Sequence, residues 1–212
     1  MSSTRLASRP AFGITIHGGN GRVTITLKEA ALEYQARGLS VFPCKPGLKA
    51  PMGSFAPHGR NSATRSRSLI EKWWTEEPSA NIGIPTGPES GWLVLDMDWY
   101  REGTGIAALQ LQKLIGFLPP TRRASTPQGG EHWLFQWPGE DFVHKARLAE
   151  GLDVKGAGGY IVAPPSMNEH GVPYQVIWPE DEVAELPEAW LALLVRGSDD
   201  PLNPPAQRKL GE

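Results

Sequence analysis

The stretch "GWLVLDMDWY", residues 91–100, decides how the chain is read. Residues 92–96 have the character of a buried strand, and Asp96 and Asp98 then stand with one methionine between them. Side chains alternate along a strand, so positions i and i+2 share a face. Leu93, Leu95 and Met97 therefore line a dry face, and both carboxylates emerge on the other. Two like charges held side by side repel, and one takes up a proton unless something positive lies between them. The rest of the chain has to supply that positive charge.

Two further strands carry the same pattern. In "EHWLFQW", Trp133, Phe135 and Trp137 share one face and His132 lies opposite. In "LDVKG", Leu152 and Val154 share one face, and Asp153 and Lys155 the other. If the three strands are neighbours in one sheet, three carboxylates, an imidazole and an ammonium converge. Three carboxylates suit hard divalent cations such as Mg²⁺ or Mn²⁺, which take oxygen ligands. Two such ions bridged by carboxylates form a clamp for in-line phosphoryl displacement. The expected positive charge between Asp96 and Asp98 is thus a divalent metal. A D-x-D pair arises easily by chance, and a solvated strand end is its plainer reading. The hydrophobic run before it and the two matching strands favour a site.

His132 alone reads as an ordinary core or surface histidine. Its setting in "TPQGGEHW" raises it, because Gly129 and Gly130 are expected to expose backbone N–H groups suited to phosphate. Lys49 in "KPGLKAP" reads locally as a surface lysine, and Trp73 and Trp74 as core.

The 212 residues, 40% hydrophobic and 21% charged, suffice for one large or two small domains with a real core. No apolar run is long enough to span a bilayer, and the N-terminus lacks the apolar core of a signal peptide. The single cysteine, Cys44, excludes an internal disulfide and a cysteine zinc site. A cytoplasmic protein with no membrane partner is expected. The net charge of −2 hides an uneven distribution. Residues 41–72 hold six Lys or Arg and one acid, whereas residues 179–188 hold five acids and no base. The basic segment is either an anion-binding face or a solvated surface.

Residues 1–25 read as an N-terminal arm, with "GITIHGGNGRVTITL" patterned as a hairpin. Thr26 with Glu29 forms a capping box before a helix that Gly38 ends, and Ser68 with Glu71 forms another before "LIEKWWTEE". "LSVFP", "NIGIPTG", "GYIVAPP" and "YQVIW" read as short strands, and "GIAALQLQKLIG" and "LPEAWLALLVRG" as helices. Residues 26–196 form the expected domain, and residues 197–212 have linker composition. This order predicts an α+β fold with a mixed or antiparallel sheet.

"VLDMD", "TPQGGEHWLF" and "LDVKGAGGYIVAPPS", in this order, resemble the three motifs of the archaeo-eukaryotic primase superfamily: D-x-D or D-x-E, small-x-His, and hydrophobic-Asp. The likeness is to its primase–polymerase branch, found in plasmid, phage and mobile-element replication proteins. "ALEYQARGLSVFPCKPGLKAP", "IEKWWTEEPSANIGIPTG" and "LPEAWLALL" also resemble that branch, so the match spans about residues 27–195. The resemblance implies an N-terminal α/β unit joined to an RRM-like palm. It implies template-dependent nucleotidyl transfer in DNA replication, with DNA primase and polymerase activity and a two-metal mechanism.

By position, Asp96, Asp98 and Asp153 would be the metal ligands and His132 would contact the nucleotide's phosphates, with Gly130 as the small motif residue beside Gly129. Lys49, Lys155 and Ser166 fall in matching segments as nucleotide-binding candidates. The implied partners are a single-stranded DNA template, a primer, NTP or dNTP, and a helicase domain or subunit downstream. The implied location is the cytoplasm, that of the host if the protein is phage-encoded. Two positions depart from the pattern: Lys155 stands where arginine is expected and Ala157 where an acid is frequent. The cysteine zinc stem of some relatives is excluded by the single cysteine, so no zinc is expected. Two other readings of the same residues remain: a metal-dependent nuclease or phosphohydrolase, and a non-catalytic single-stranded DNA-binding module.

Overall fold

The computed structural model describes residues 25–139, 147–178 and 183–195. Residues 1–24, which hold most of the expected arm and hairpin, and the linker-like tail lie outside the described residues, and Leu27 at the expected hairpin's end belongs to a helix.

Helix α1, Leu27–Ala36, begins where its capping box puts it. The Glu29 N–H donates to Thr26 Oγ1 at 3.1 Å, and the Thr26 N–H donates to Glu29 Oε2 at 2.8 Å. Gly38, at φ 85°, supplies the left-handed residue that ends it. Helix α2, Arg67–Glu76, does not start on the expected Ser68–Glu71 box. Ser66 holds the cap position without a side-chain cap bond, and Glu71 accepts instead from Arg67 Nε at 2.9 Å. An ion pair four residues back is within easy reach of a helical carboxylate, and here it takes the group that the box required.

The strands form two sheets. Strands β1 (Phe42–Cys44), β2 (Asn81–Pro85) and β8 (Tyr160–Ala163) make a three-stranded sheet in the order β1-β2-β8. Strands β3 (Trp92–Met97), β4 (Arg123–Ser125), β5 (Glu131–Gln136), β6 (Arg147–Ala149), β7 (Leu152–Lys155) and β9 (Gln175–Trp178) make the larger sheet. Its order is β6-β7-β3-β5-β4-β9. Every pairing between these strands is antiparallel, so the chain is an α+β protein of the antiparallel kind. Helix α3, Thr104–Ile115, connects β3 to β4, and α4, Glu188–Leu194, follows β9. The strand expected at "GYIVAPP" forms, but in the smaller sheet beside β2.

Strand β3 lies between two cores. Leu93, Leu95 and Met97 pack with Phe135, Leu152 and Val154, and with Leu111 of α3 and Trp190 of α4. Trp92 and Val94, on the opposite face, belong to the core built by α1, α2 and β2, which contains Tyr34, Trp73, Trp74 and Ile82. The second face of β3 is therefore apolar as well, and becomes polar only at Asp96. A charge at the edge of a core needs partners, because desolvation without them is costly. Among the described residues no helix is long and apolar enough to cross a membrane.

Candidate active site

Strand register places the candidate residues. Asp96 stands directly opposite Asp153 on β7 and directly opposite His132 on β5. Residues opposite one another across an antiparallel pair share a face. His132, Asp96 and Asp153 thus form a row across three strands, and Lys155 shares the face of Asp153 two residues on. The Lys155 ammonium lies 3.5 Å from Asp96 Oδ2 and 3.4 Å from Asp153 Oδ2. Asp98 lies one residue beyond β3, where its N–H donates to Gly151 O at 2.8 Å and its Oδ2 meets Arg101 Nε at 3.0 Å.

The structure therefore answers the charge problem of the D-x-D pair with the chain's own bases. Lys155 sits between Asp96 and Asp153, and Arg101 holds Asp98. Arg147 holds Asp153, with Nε 2.7 Å from Oδ1. Partial burial pushes the Asp153 carboxyl up, but the Arg147 hydrogen bond and the Lys155 and Arg147 charges more than reverse it and leave it below the ordinary range.

His132 is 4% exposed. Its Nδ1 is buried with no hydrogen-bond partner among the described residues, and Nε2 lies 3.6 Å from Asp96 Oδ1. Its ring stacks on Tyr174 with centroids 6.0 Å apart. Burial pushes the imidazole's pKa down; the Asp96 charge pulls it back, while Lys49 and Lys155 add to the lowering. The ring is thereby favoured in its neutral form. A buried ring nitrogen without a partner calls for an explanation.

A cavity of about 300 Å³ opens over Asp96 and His132, with Asp98 and Asp153 outside its wall. Asp96, His132 and Lys155 form part of its wall, the exposed Lys49 lies at its edge, and Tyr160 and Tyr174 add aromatic surface beside Gly158 and Gly159. That volume falls at the small end of the roughly 300–1,000 Å³ range of small-molecule sites. The Lys49 loop is tied down from two sides: Tyr160 Oη donates to Lys49 O at 3.0 Å, and Asn81 Nδ2 donates to Leu48 O at 3.1 Å.

Two expectations need correction. The N–H groups of Gly129 and Gly130 are not free for phosphate, because they donate to Thr126 O at 3.0 Å and Thr126 Oγ1 at 3.1 Å. The small residue at 130 has a packing reason: a Cβ there would lie 2.7 Å from Met97 O. Ser166 is fully buried and outside the cavity wall; its Oγ accepts the Ile82 N–H at 2.8 Å, fastening the loop after β8 to β2.

Sequence reasoning did not single out Tyr160, Tyr174, Arg101 or Arg147. Arg101 was legible in principle, since a base three residues after an aspartate can close on it in a turn. Arg147 depends on β6, which is too short to show an alternation, and nothing local marks Tyr174.

Among the described residues, no three Asp, Glu, His or Cys side chains form a ready-made metal cluster. The three candidate carboxylates are oxygen donors of the type that Mg²⁺ and Mn²⁺ take. Asp96 and Asp153 stand on adjacent strands and Asp98 just beyond β3, and Lys155, Arg101 and Arg147 pair with them here.

The match to the family of bifunctional DNA primase/polymerase N-terminal domains spans residues 31–189 and takes in every candidate site residue. The chain belongs to this family. No curated protein matches the chain. Membership makes the chain a DNA primase/polymerase domain of the nucleotidyltransferase type, whose substrates are DNA and nucleotides.

Proposed function

We propose that this primase/polymerase domain joins nucleotides on a single-stranded DNA template during replication, at a two-metal site held by Asp96, Asp98 and Asp153. The observation that carries the reading is the register that sets Asp153, Asp96 and His132 side by side on β7, β3 and β5. When bound, Mg²⁺ or Mn²⁺ would lower the pKa of a primer 3′-hydroxyl and stabilise charge on the departing pyrophosphate. The three carboxylates would hold these ions. His132, kept neutral by burial, would donate a ring N–H to a phosphate oxygen. Lys49 and Lys155 would balance triphosphate charge at the cavity wall. Tyr160 and Tyr174 would keep water from the reacting groups. In priming, a first nucleotide would take the place of the primer end.

The larger sheet would serve as an RRM-like palm; its support is the strand order β7-β3-β5-β4 with α3 between β3 and β4. Lys45 and Arg65, exposed on the same basic segment as Lys49, would guide the template backbone. A helicase domain or subunit would follow the domain.

The test is primer synthesis on a single-stranded DNA template with Mg²⁺ or Mn²⁺ and mixed NTP and dNTP. Metal-dependent appearance of primers that lengthen with time is expected. Shortening of a labelled strand without synthesis would assign the carboxylates to hydrolysis instead, and metal-independent binding without turnover would leave a DNA-binding module.

A further inference from the structure

Two arginines hold two of the three candidate metal ligands, and one glutamate holds both arginines. Arg101 Nε lies 3.0 Å from Asp98 Oδ2, and its Nη1 lies 2.8 Å from Glu150 Oε1. Arg147 Nε lies 2.7 Å from Asp153 Oδ1, and its Nη1 lies 3.6 Å from Glu150 Oε2. The aspartate side chains are 19% and 25% exposed, whereas Arg101, Arg147 and Glu150 are 44%, 55% and 64% exposed. The carboxylates are thus the more buried partners of these pairs, and the arginines and Glu150 the more exposed ones.

A divalent ion bound by Asp98 and Asp153 needs the lone pairs that the two guanidinium groups now use. It would also repel a guanidinium left in contact with the same oxygens. We propose that Arg101 and Arg147 are displaceable counter-ions. They neutralise Asp98 and Asp153 in the metal-free protein and yield both carboxylates when the divalent ions arrive. Glu150 is their landing place. It already engages the second arm of each guanidinium, so each arginine gives up one partner and keeps the other. The inference rests on the metal-dependent reading above. It adds two positioning residues and a reason for their geometry: without them, a row of carboxylates built for dications would stand unbalanced between turnovers.

The experiment is Mn²⁺ titration of the whole chain, without DNA or nucleotide, paired with thermal melts in EDTA and at saturating Mn²⁺. Wild type, Arg101→Gln, Arg147→Gln and Asp98→Asn are compared. Each arginine variant should melt below wild type in EDTA and together with wild type at saturating Mn²⁺. Each should bind Mn²⁺ about two- to five-fold more tightly, the range that corresponds to one exposed ion pair. An equal loss of melting temperature with and without Mn²⁺ would make the arginines plain structural ion pairs and overturn the proposal. So would an unchanged or weakened Mn²⁺ affinity, or a tighter affinity with no change in EDTA. If wild type binds no Mn²⁺, or Asp98→Asn binds it equally well, the metal reading itself fails and takes the proposal with it.

Discussion

Asp96 and Asp153 face one another across β3 and β7, and the Lys155 ammonium lies between them, 3.5 Å from one carboxylate and 3.4 Å from the other. An ammonium in that position does in the metal-free protein what a divalent ion does in a loaded site: it lets two carboxylates share a small volume. Replacing it by an uncharged side chain of similar length exposes their repulsion.

Lys155→Gln should therefore lower metal-free stability by roughly 1 kcal/mol, the upper range for a partly exposed ion pair. Urea unfolding in EDTA measures it. The deficit should shrink when Mn²⁺ is added, because a ligand that binds only the folded state stabilises it by mass action. A variant as stable as wild type in EDTA would show that Lys155 does not balance the pair.

Ser166→Ala should damage the fold and spare the chemistry. Its hydroxyl accepts the buried Ile82 N–H, and removing that acceptor strands the donor at a cost of about 1–3 kcal/mol. Unfolding should shift to lower denaturant while primer extension per folded molecule persists below the transition. Loss of extension with stability unchanged would return Ser166 to the nucleotide site.

These predictions turn on how the sequence carried the site. Strand parity and apolar runs were enough to place Asp96, His132, Asp153 and Lys155 on one polar edge, because a two-residue period survives in strands of four to six residues. The Thr26–Glu29 box and Gly38 marked α1 for the same local reason. The constraints on Ser166 and Gly130 are tertiary and show in no local pattern: one satisfies an amide 84 positions away, the other leaves room for a carbonyl of β3. Strands β4 and β6, at three residues each, are too short for any period to show, and the site of Arg147 was hidden with β6. The second apolar face of β3 depends on α1 and α2 closing over Trp92 and Val94, which no local pattern states.

Cys44 should be inert in the native protein. Burial pushes its thiol from 9.0 up to about 12. An acid whose folded value is raised stays protonated where the unfolded chain has lost its proton, so its effect on stability is absent below pH 9.0 and grows unfavourable as pH rises from there toward about 12. A disulfide reagent at pH 8 should label the thiol only after denaturant is added, and Cys44→Ala should weaken the loss of stability as pH rises above 9.0. Rapid labelling of the native chain would contradict the closed packing of β1.

The two aspartates of the opening stretch carry the central claim. Because Lys155 and Arg101 already neutralise them, Asp96→Asn with Asp98→Asn should leave the fold intact but slightly less stable without metal. Mn²⁺ should no longer raise the melting temperature, and nucleotide transfer should fall by at least about a thousand-fold, the scale on which single charge-stabilising groups act in catalysis. The most direct measurement is primer extension at saturating Mn²⁺ by wild type and the double variant, with circular dichroism confirming that both are folded. The account predicts extension by wild type and none above background by the double variant; a folded double variant that extends primers at the wild-type rate would contradict it.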